Sequence, residues 1–363
     1  VLKVKFREAL ERLRENALST LSESNGRFPI YKEREWKMSD GRHWMEPFWC
    51  GLLWNLSYFF NDGSLMVRAK ECSIALSSKE DLSTHDRGFK YYYSTVKGWE
   101  ITGETKLKEL SIKAVQGLAE MFNPSLGFIP LGNDFSSYFP GEPQDTANRE
   151  FIVDTMMASL PLILWGFSQT GRQDLLYISL IHSHKTFDLL IREDWSTYQA
   201  VRVESSGEVY KHTHQGFNNE SCWSRGQAWA IHGFAILYNY TKMEFFLKVA
   251  ENLSNYFIRN LPPDLVPYYD FNDPSIPNAL RDTSSSAIVS SALFDIYNYT
   301  GDEKYIRKAT EMVRSLISED YFVDGGLKHS RYRQDEAKDA ELIFGDYYLS
   351  EALIKAMKWG IEG

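Results

Sequence analysis

The sequence predicts an all-α fold, a toroid of helical hairpins or (α/α)6 barrel, with short extended segments in its mouth loops. Three observations predict it: helical periodicity along most of the chain, a recurring helix–turn–helix punctuation, and an asymmetry between the two helices of each pair. LERLRENALSTL, GLLWNLSYFF, KLKELSIKAVQGLAEMF, QAWAIHGFAILYNY, FFLKVAENLSNYFI, SSSAIVSSALFDIYNY and DEKYIRKATEMVRSLI carry apolar residues at three- and four-residue spacing. Between several of them an apolar helix ends at a short turn and a charged helix begins, as in FFNDGSLMVRAKE, EITGETKLKEL, FSQTGRQDLLY, YNYTKMEFFLKVAENL and YNYTGDEKYIRKATEMV. The turns at Gly63, Gly103, Gly171, Thr241 and Gly301 recur at roughly 40- to 70-residue intervals, the mark of repeated hairpins. The first helix of each pair is apolar all round and the second amphipathic, which suits an inner ring buried on both sides and an outer ring facing water. A flat solenoid needs polar capping repeats, and neither end shows one. No linker or low-complexity segment divides the 363 residues, so a single domain over 1–363 is expected.

From the N-terminus, FREALERLREN is an amphipathic charged helix and not a secretion signal. The chain is 43% hydrophobic and 25% charged, as in soluble globular proteins, and rich in aromatics that serve cores and carbohydrate sites alike. A net charge of −9 argues against nucleic acid or an anionic membrane surface as partner. No apolar stretch reaches the length of a membrane span. Cys50, Cys72 and Cys222 show no CxxC spacing; neither a zinc site nor a disulfide framework is expected, and a reducing, cytoplasmic location is. The main break in the helical pattern, STYQAVRVESSGEVYKHTHQGF from Ser196 to Phe217, alternates and reads as an extended or hairpin excursion over one mouth of the ring.

Asp154 stands near the head of FIVDTMMASLPLILWG, an otherwise almost charge-free run. Burying a carboxylate is costly unless it is paired, hydrogen-bonded or protonated, so Asp154 is either a helix N-cap or a working acid of raised pKa. On a continuous helix it shares a face with Ala158, Pro161 and Trp165. In STHDRGFKYY, His85 suits hydrogen bonding to a substrate, and Asp86 is either a second carboxylate across the mouth from Asp154 or a helix cap. Arg225, Trp229 and His232 in SRGQAWAIHGF fall on one helical face, with His214 and Gln215 just upstream. Arg225 offers a fork for a carboxylate and Trp229 a plate for a sugar ring, unless the two form a packed cation–π pair. Trp44 and Trp49 are further stacking candidates, whereas Asp282 and Asp346 stand where helix N-caps are needed and read as structural. No GxGxxG, Walker loop, HExxH or nucleophile elbow is present.

THDRGF, VDTMMASLPLILWG, THQGF, SRGQAWAIHGF, RDTSSSAIVSSALFDI and FGDYYLSEAL, in this order, resemble the unsaturated glucuronyl hydrolases of glycoside hydrolase family 88. The resemblance runs from about Trp44 to about Ala352, and that family has an (α/α)6 barrel. It implies a substrate left by a polysaccharide lyase, an oligosaccharide with a 4,5-unsaturated uronic acid at its non-reducing end. The enzyme hydrates the C4=C5 vinyl ether: protonation at C4, water attack at C5, then opening of the hemiketal and release of the remaining sugar. By the same matching Asp154 is the acid/base and Asp86 the assisting carboxylate. His85, Trp44, His214, Gln215, Arg225 and Trp229 are substrate contacts, with Arg225 first choice for the uronate carboxylate and His85 or Gln215 the alternatives. No metal or organic cofactor is implied, and the oligomeric state is left open.

Two departures stand out. Gln199 occupies a loop position where the family commonly has His, so its expected role is binding without proton transfer. The loop HSRYRQDEAKDAE lacks the Ser and Lys pattern associated with sulfated substrates, and Arg331 and Arg333 are available for an anion. The rival readings are an unsaturated rhamnogalacturonyl hydrolase acting on pectin fragments, a non-catalytic glycan-binding toroid, and an inverting glycosidase acting on saturated glycans.

Overall fold

The structure is a computed structural model that describes residues 5–79, 83–134 and 144–363. Helix α1 (Phe6–Ser24) leads into a β-hairpin, β1 (Phe28–Lys32) and β2 (Trp36–Ser39). Then come α2 (Glu46–Phe60) and α3 (Gly63–Ser77). A bent helix follows, formed by α4 (Arg87–Tyr91), a π-helical turn over Tyr92–Val96 and α5 (Lys97–Thr102), before α6 (Thr105–Ala119). Strand β3 (Glu150–Ile152) feeds α7 (Thr155–Ala158), α8 (Leu160–Thr170) and α9 (Gln173–Leu190). Strands β4 (Ala200–Val203) and β5 (Val209–His212) precede α10 (Ser224–Thr241), α11 (Glu244–Arg259), α12 (Thr283–Thr300) and α13 (Glu303–Leu316). Short strands β6 (Phe322–Val323), β7 (Gly326–Leu327) and β8 (Glu341–Leu342) lead to α14 (Ile343–Lys358).

The mostly helical prediction holds, and so does the asymmetry within pairs. In α2, α10, α12 and α14 nearly every residue of the first three turns is buried, whereas α11 and α13 bury one face. The buried helices pack side by side: α2 on α14, α14 on α12, α12 on α10, α10 on α7 and α8, these on α4, and α4 on α2. The partners α3, α11 and α13 lie against α2, α10 and α12, and α9 lies against α8. Turns between partners end the inner helix in the left-handed region. Gly103, Gly171 and Gly301 do so at φ near 70°, where glycine carries no Cβ penalty. Asn61 and Lys242 take that conformation at the other two turns, so the turn residue is Asn61 where Gly63 was expected and Lys242 where Thr241 was.

Two corrections and one addition follow. Cys50 and Cys72 form a disulfide, because α2 and α3 are antiparallel neighbours that bring residues 22 apart in sequence to a Cα separation of 5.5 Å. The cysteine argument for a reducing compartment therefore falls, and only Cys222 is a free, buried thiol. Second, the Asp154 helix is not continuous: Ser159, at φ −129° and ψ −50°, separates α7 from α8. Third, three small antiparallel sheets, β2-β1-β8, β3-β4-β5 and β6-β7, accompany the helices. The expected excursion between Ser196 and Phe217 is the β4–β5 hairpin, and β3 extends it into a sheet. Among the described residues no helix is long and apolar enough to cross a membrane.

Candidate active site

Asp86 and Asp154 open consecutive inner helices, α4 and α7, and neither side chain caps its helix. That removes the N-cap reading of both. The start of α4 nearly touches the α7–α8 junction: a Cβ on Gly88 would lie 2.0 Å from the Ala158 carbonyl oxygen, so the THDRG glycine is what lets the two segments approach. Asp154 is 9% exposed, and its Oδ2 has no hydrogen-bond partner among the described residues. Burial pushes its pKa up to about 7; the charge of Asp86 adds to the rise, while Arg225 and His214 oppose it. Burial also raises Asp86 to about 7, against a hydrogen bond donated by Thr84 Oγ1 at 3.3 Å.

His85 bridges the two helix starts. Its Nδ1 lies 3.1 Å from Thr155 Oγ1, its carbonyl accepts from Ser159 Oγ at 2.7 Å, and its Nε2 is 3.6 Å from Asp86 Oδ1. The Ser159 break thus has a use, since it turns a hydroxyl toward the His85 backbone. Burial, with His214 close by, lowers the His85 pKa to about 3, so the ring is neutral and offers a hydrogen bond rather than a charge.

The aromatic floor is built from three helices and the turn before α2. Trp44 packs on Phe344 at 5.1 Å and Phe89 at 5.7 Å between centroids, and Phe89 packs on Trp229 at 5.5 Å. Trp44 is half-buried and remains a surface for a sugar ring. Trp229 is 1% exposed: it lies beneath the first aromatic layer instead of forming an open plate.

Arg225 is also displaced from its expected role. It is fully buried, pairs with Asp282 Oδ2 at 2.6 Å, and donates to the carbonyls of Arg331 and Tyr332 at 2.7 Å each. Its guanidinium fork is thereby occupied by protein oxygens. Asp282 holds the N-cap position of α12 but bonds Arg225 and the hydroxyls of Ser284 and Ser285, not the helix amides. Asp346 lies inside the first turn of α14, where it accepts from the Leu327 amide at 2.8 Å. Gln199 was expected to touch substrate; it is instead the clamp of the mouth loop. Its Oε1 accepts from Thr213 Oγ1 and from the amides of His214 and Gln215, while its Nε2 donates to Gln215 Oε1 at 3.0 Å. Gln215 in turn donates to the Tyr332 carbonyl at 3.2 Å.

No family model matches the chain. It is 34% identical over 326 residues to the unsaturated glucuronyl hydrolase of Formosa agariphila, a match covering 86% of this chain and 79% of that protein. The chain belongs to the unsaturated glucuronyl hydrolase family. It is also 28% identical over 355 residues to the unsaturated chondroitin disaccharide hydrolase of Streptococcus pneumoniae, covering 92% and 87% of the two chains. A crystal structure of an unsaturated glucuronyl hydrolase specific for heparin superposes with a TM-score of 0.89 at 27% identity, over 98% of this chain and 96% of that one.

In this glucuronyl hydrolase two residues at the site escaped the sequence reading. Tyr332 sits beside Trp44, whose Nε1 is 3.3 Å from its hydroxyl, and close enough to Asp86 to feel its charge. Its only signal was a place between two arginines in SRYRQDE. Glu150, on β3, lies 2.5 Å from His214 Nε2 through its Oε1. Burial alone would raise its pKa, but His212 and His214 hold it down at about 2. Nothing in its local context, NREF, could reveal it, because its partners lie on β5 and in the loop that follows. As a whole the site offers a glycoside hydrolase two buried carboxyls poised to give up protons near neutrality, a neutral imidazole and an aromatic floor.

Proposed function

We propose that the protein removes the 4,5-unsaturated uronic acid from the non-reducing end of lyase-generated, glycosaminoglycan-type oligosaccharides by hydrating its C4=C5 bond. The observation that carries this reading is the uncapped, buried Asp154 beside Asp86. A vinyl ether needs a proton donor strong enough to protonate carbon and protected from water, and Asp154 meets both conditions. In this reading Asp154 delivers its proton to C4, and the positive charge settles at C5 beside the ring oxygen. The Asp154 carboxylate then takes a proton from the attacking water, whose oxygen bonds to C5. The hemiketal so formed opens, and the rest of the chain leaves. Asp86 keeps Asp154 protonated by like-charge coupling and orients the substrate, while His85 and Trp44 contact the sugar. Arg225, Gln199 and Gln215 shape the mouth from behind. The packed inner helices, in the same reading, close into a six-hairpin toroid with this site at one mouth.

Loss of ultraviolet absorbance from the conjugated double bond tests the proposal, with unsaturated chondroitin, hyaluronan and heparin disaccharides as substrates. Decay with any of them is the expected result. Decay confined to pectin-derived fragments points to the rhamnogalacturonyl reading, and cleavage of saturated aryl glycosides alone overturns the hydration chemistry. Because the acid must enter the reaction protonated, kcat is expected to fall as pH rises through about 7, where Asp154 titrates. A limb that instead rises from pH 6 to 8 would identify a base-first reaction.

A further inference from the structure

Beside the acid pair, the β3-β4-β5 sheet gathers a second set of side chains that the hydration chemistry does not use. Glu150 on β3 and His212 on β5 flank β4, where Ala200 pairs with both Ile152 and His212. Glu150 lies opposite Arg202, two residues along β3 from Ile152 and on the same face, so it reaches His212 diagonally across β4. His214 follows two residues after His212 and joins them. Glu150 Oε1 is 2.5 Å from His214 Nε2 and 3.1 Å from His212 Nε2, and the ligand atoms of the three residues all lie within 4.8 Å of one another. The His212 and His214 rings meet edge-on, 4.8 Å between centroids at 73°, so both Nε2 atoms converge on the carboxylate.

One detail separates this cluster from an ordinary hydrogen-bonded triad. The His212 Nε2 is buried, and despite its 3.1 Å approach to Glu150 it makes no aligned hydrogen bond among the described residues. The His212 side chain is only 9% exposed, so water is not an easy substitute. Two imidazoles and one carboxylate aimed at a common point form a familiar donor set for a four-coordinate transition ion. A tetrahedral zinc ion at ligand distances of about 2.0–2.2 Å holds its donors about 3.3 Å apart, so opening the cluster by about 1 Å accommodates it. Calcium and magnesium call for six or more oxygen donors, which this set does not offer.

We infer that Glu150, His212 and His214 form a binding site for one divalent transition ion of the zinc class. The ion ties the end of the β4–β5 hairpin to β3, four residues ahead of Asp154. Its role there is to fix the His214–Gln215 turn against the active site, without touching the reacting atoms. The inference is independent of the substrate and stands or falls separately from the hydrolase reading.

The test uses the full chain, stripped with a strong chelator and desalted, and Zn2+ or Co2+ alone as probe. Competition against a chromophoric chelator is expected to give one equivalent of tightly bound Zn2+, with a rise in Tm on loading. Co2+ should give the intense visible bands of a low-coordinate site. Glu150→Gln and His212→Ala are each expected to weaken Zn2+ by at least about a hundredfold, more than loss of an outer-sphere partner costs. His329→Ala, at an exposed His–Asp pair elsewhere on the surface, should leave binding unchanged. If His212→Ala does not fold, His212→Gln carries the comparison. Absence of stoichiometric binding, or binding that survives in both Glu150→Gln and the His212 variant, overturns the site.

Discussion

Asp154→Asn is expected to lower kcat by roughly three to five orders of magnitude while leaving KM within a few-fold of wild type. Asn matches the carboxyl in shape and keeps a polar head, but it cannot deliver a proton to C4 or take one from water. The helix loses nothing by the exchange, because the Asp154 side chain makes no cap hydrogen bond. Stability should in fact improve at alkaline pH. The folded pKa of about 7 lies above the ordinary 3.8, so the contribution of Asp154 to stability is fully present below pH 4 and is lost as pH rises through 7. At pH 8 the variant should therefore outlast wild type in urea by an amount on the order of a few kcal/mol, and the two should converge near pH 4. Steady-state kinetics on an unsaturated disaccharide, with urea melts at both pH values, checks this. A well-folded Asp154→Asn enzyme with wild-type kcat would end the assignment of the acid.

The second large effect belongs to the Arg225–Asp282 pair. Asp282→Ala leaves a fully buried guanidinium without its counter-ion, and removing one partner of such a pair costs about 3–5 kcal/mol. Chemical denaturation should show that loss directly, with KM and kcat disturbed together as the Arg331–Tyr332 segment loosens. Arg225→Met is the informative companion. If Arg225 gripped the uronate carboxylate, Met would raise KM for unsaturated disaccharides with little loss of stability. If it holds the loop, as its contacts indicate, stability should fall by a similar few kcal/mol. A Met variant as stable as wild type, with KM raised a hundredfold, would return Arg225 to the substrate.

The helical hairpins were legible because an inner helix has nowhere polar to face, which writes its burial into the sequence as a run of small and apolar residues. Asp154 was legible for the complementary reason: a lone carboxylate in such a run must be used or neutralised. The break at Ser159 was not, since Leu160-Pro161 reads equally well as the continuation of a helix that tolerates proline early. Cys50 and Cys72 could not be paired from spacing alone, as their proximity is set by the packing of α2 on α3. Arg225, Gln199 and Trp229 were expected to face a substrate and are instead buried. What consumes the Arg225 fork is a pair of backbone carbonyls more than a hundred residues away, at 331 and 332. A backbone oxygen has no letter in the sequence, so its claim on a side chain is invisible there. The Glu150 cluster failed for a related reason, because its members meet only after three strands have found their register.

The Tyr332 carbonyl accepts from Arg225, Gln215 and the Tyr269 hydroxyl, three donors reaching it from separate parts of the chain. Every one of those bonds grips the main chain and is indifferent to which side chain residues 331 to 336 carry. The path of this rim segment is thus set in part from outside, which leaves the exposed Asp335 freer to vary than the buried Tyr332 or the hydrogen-bonded Gln334 and Glu336. A protein arranged this way can exchange the charge at Asp335 without moving the wall from which it projects. Such a position can change its charge with the hydrogen bonds to the Tyr332 carbonyl intact.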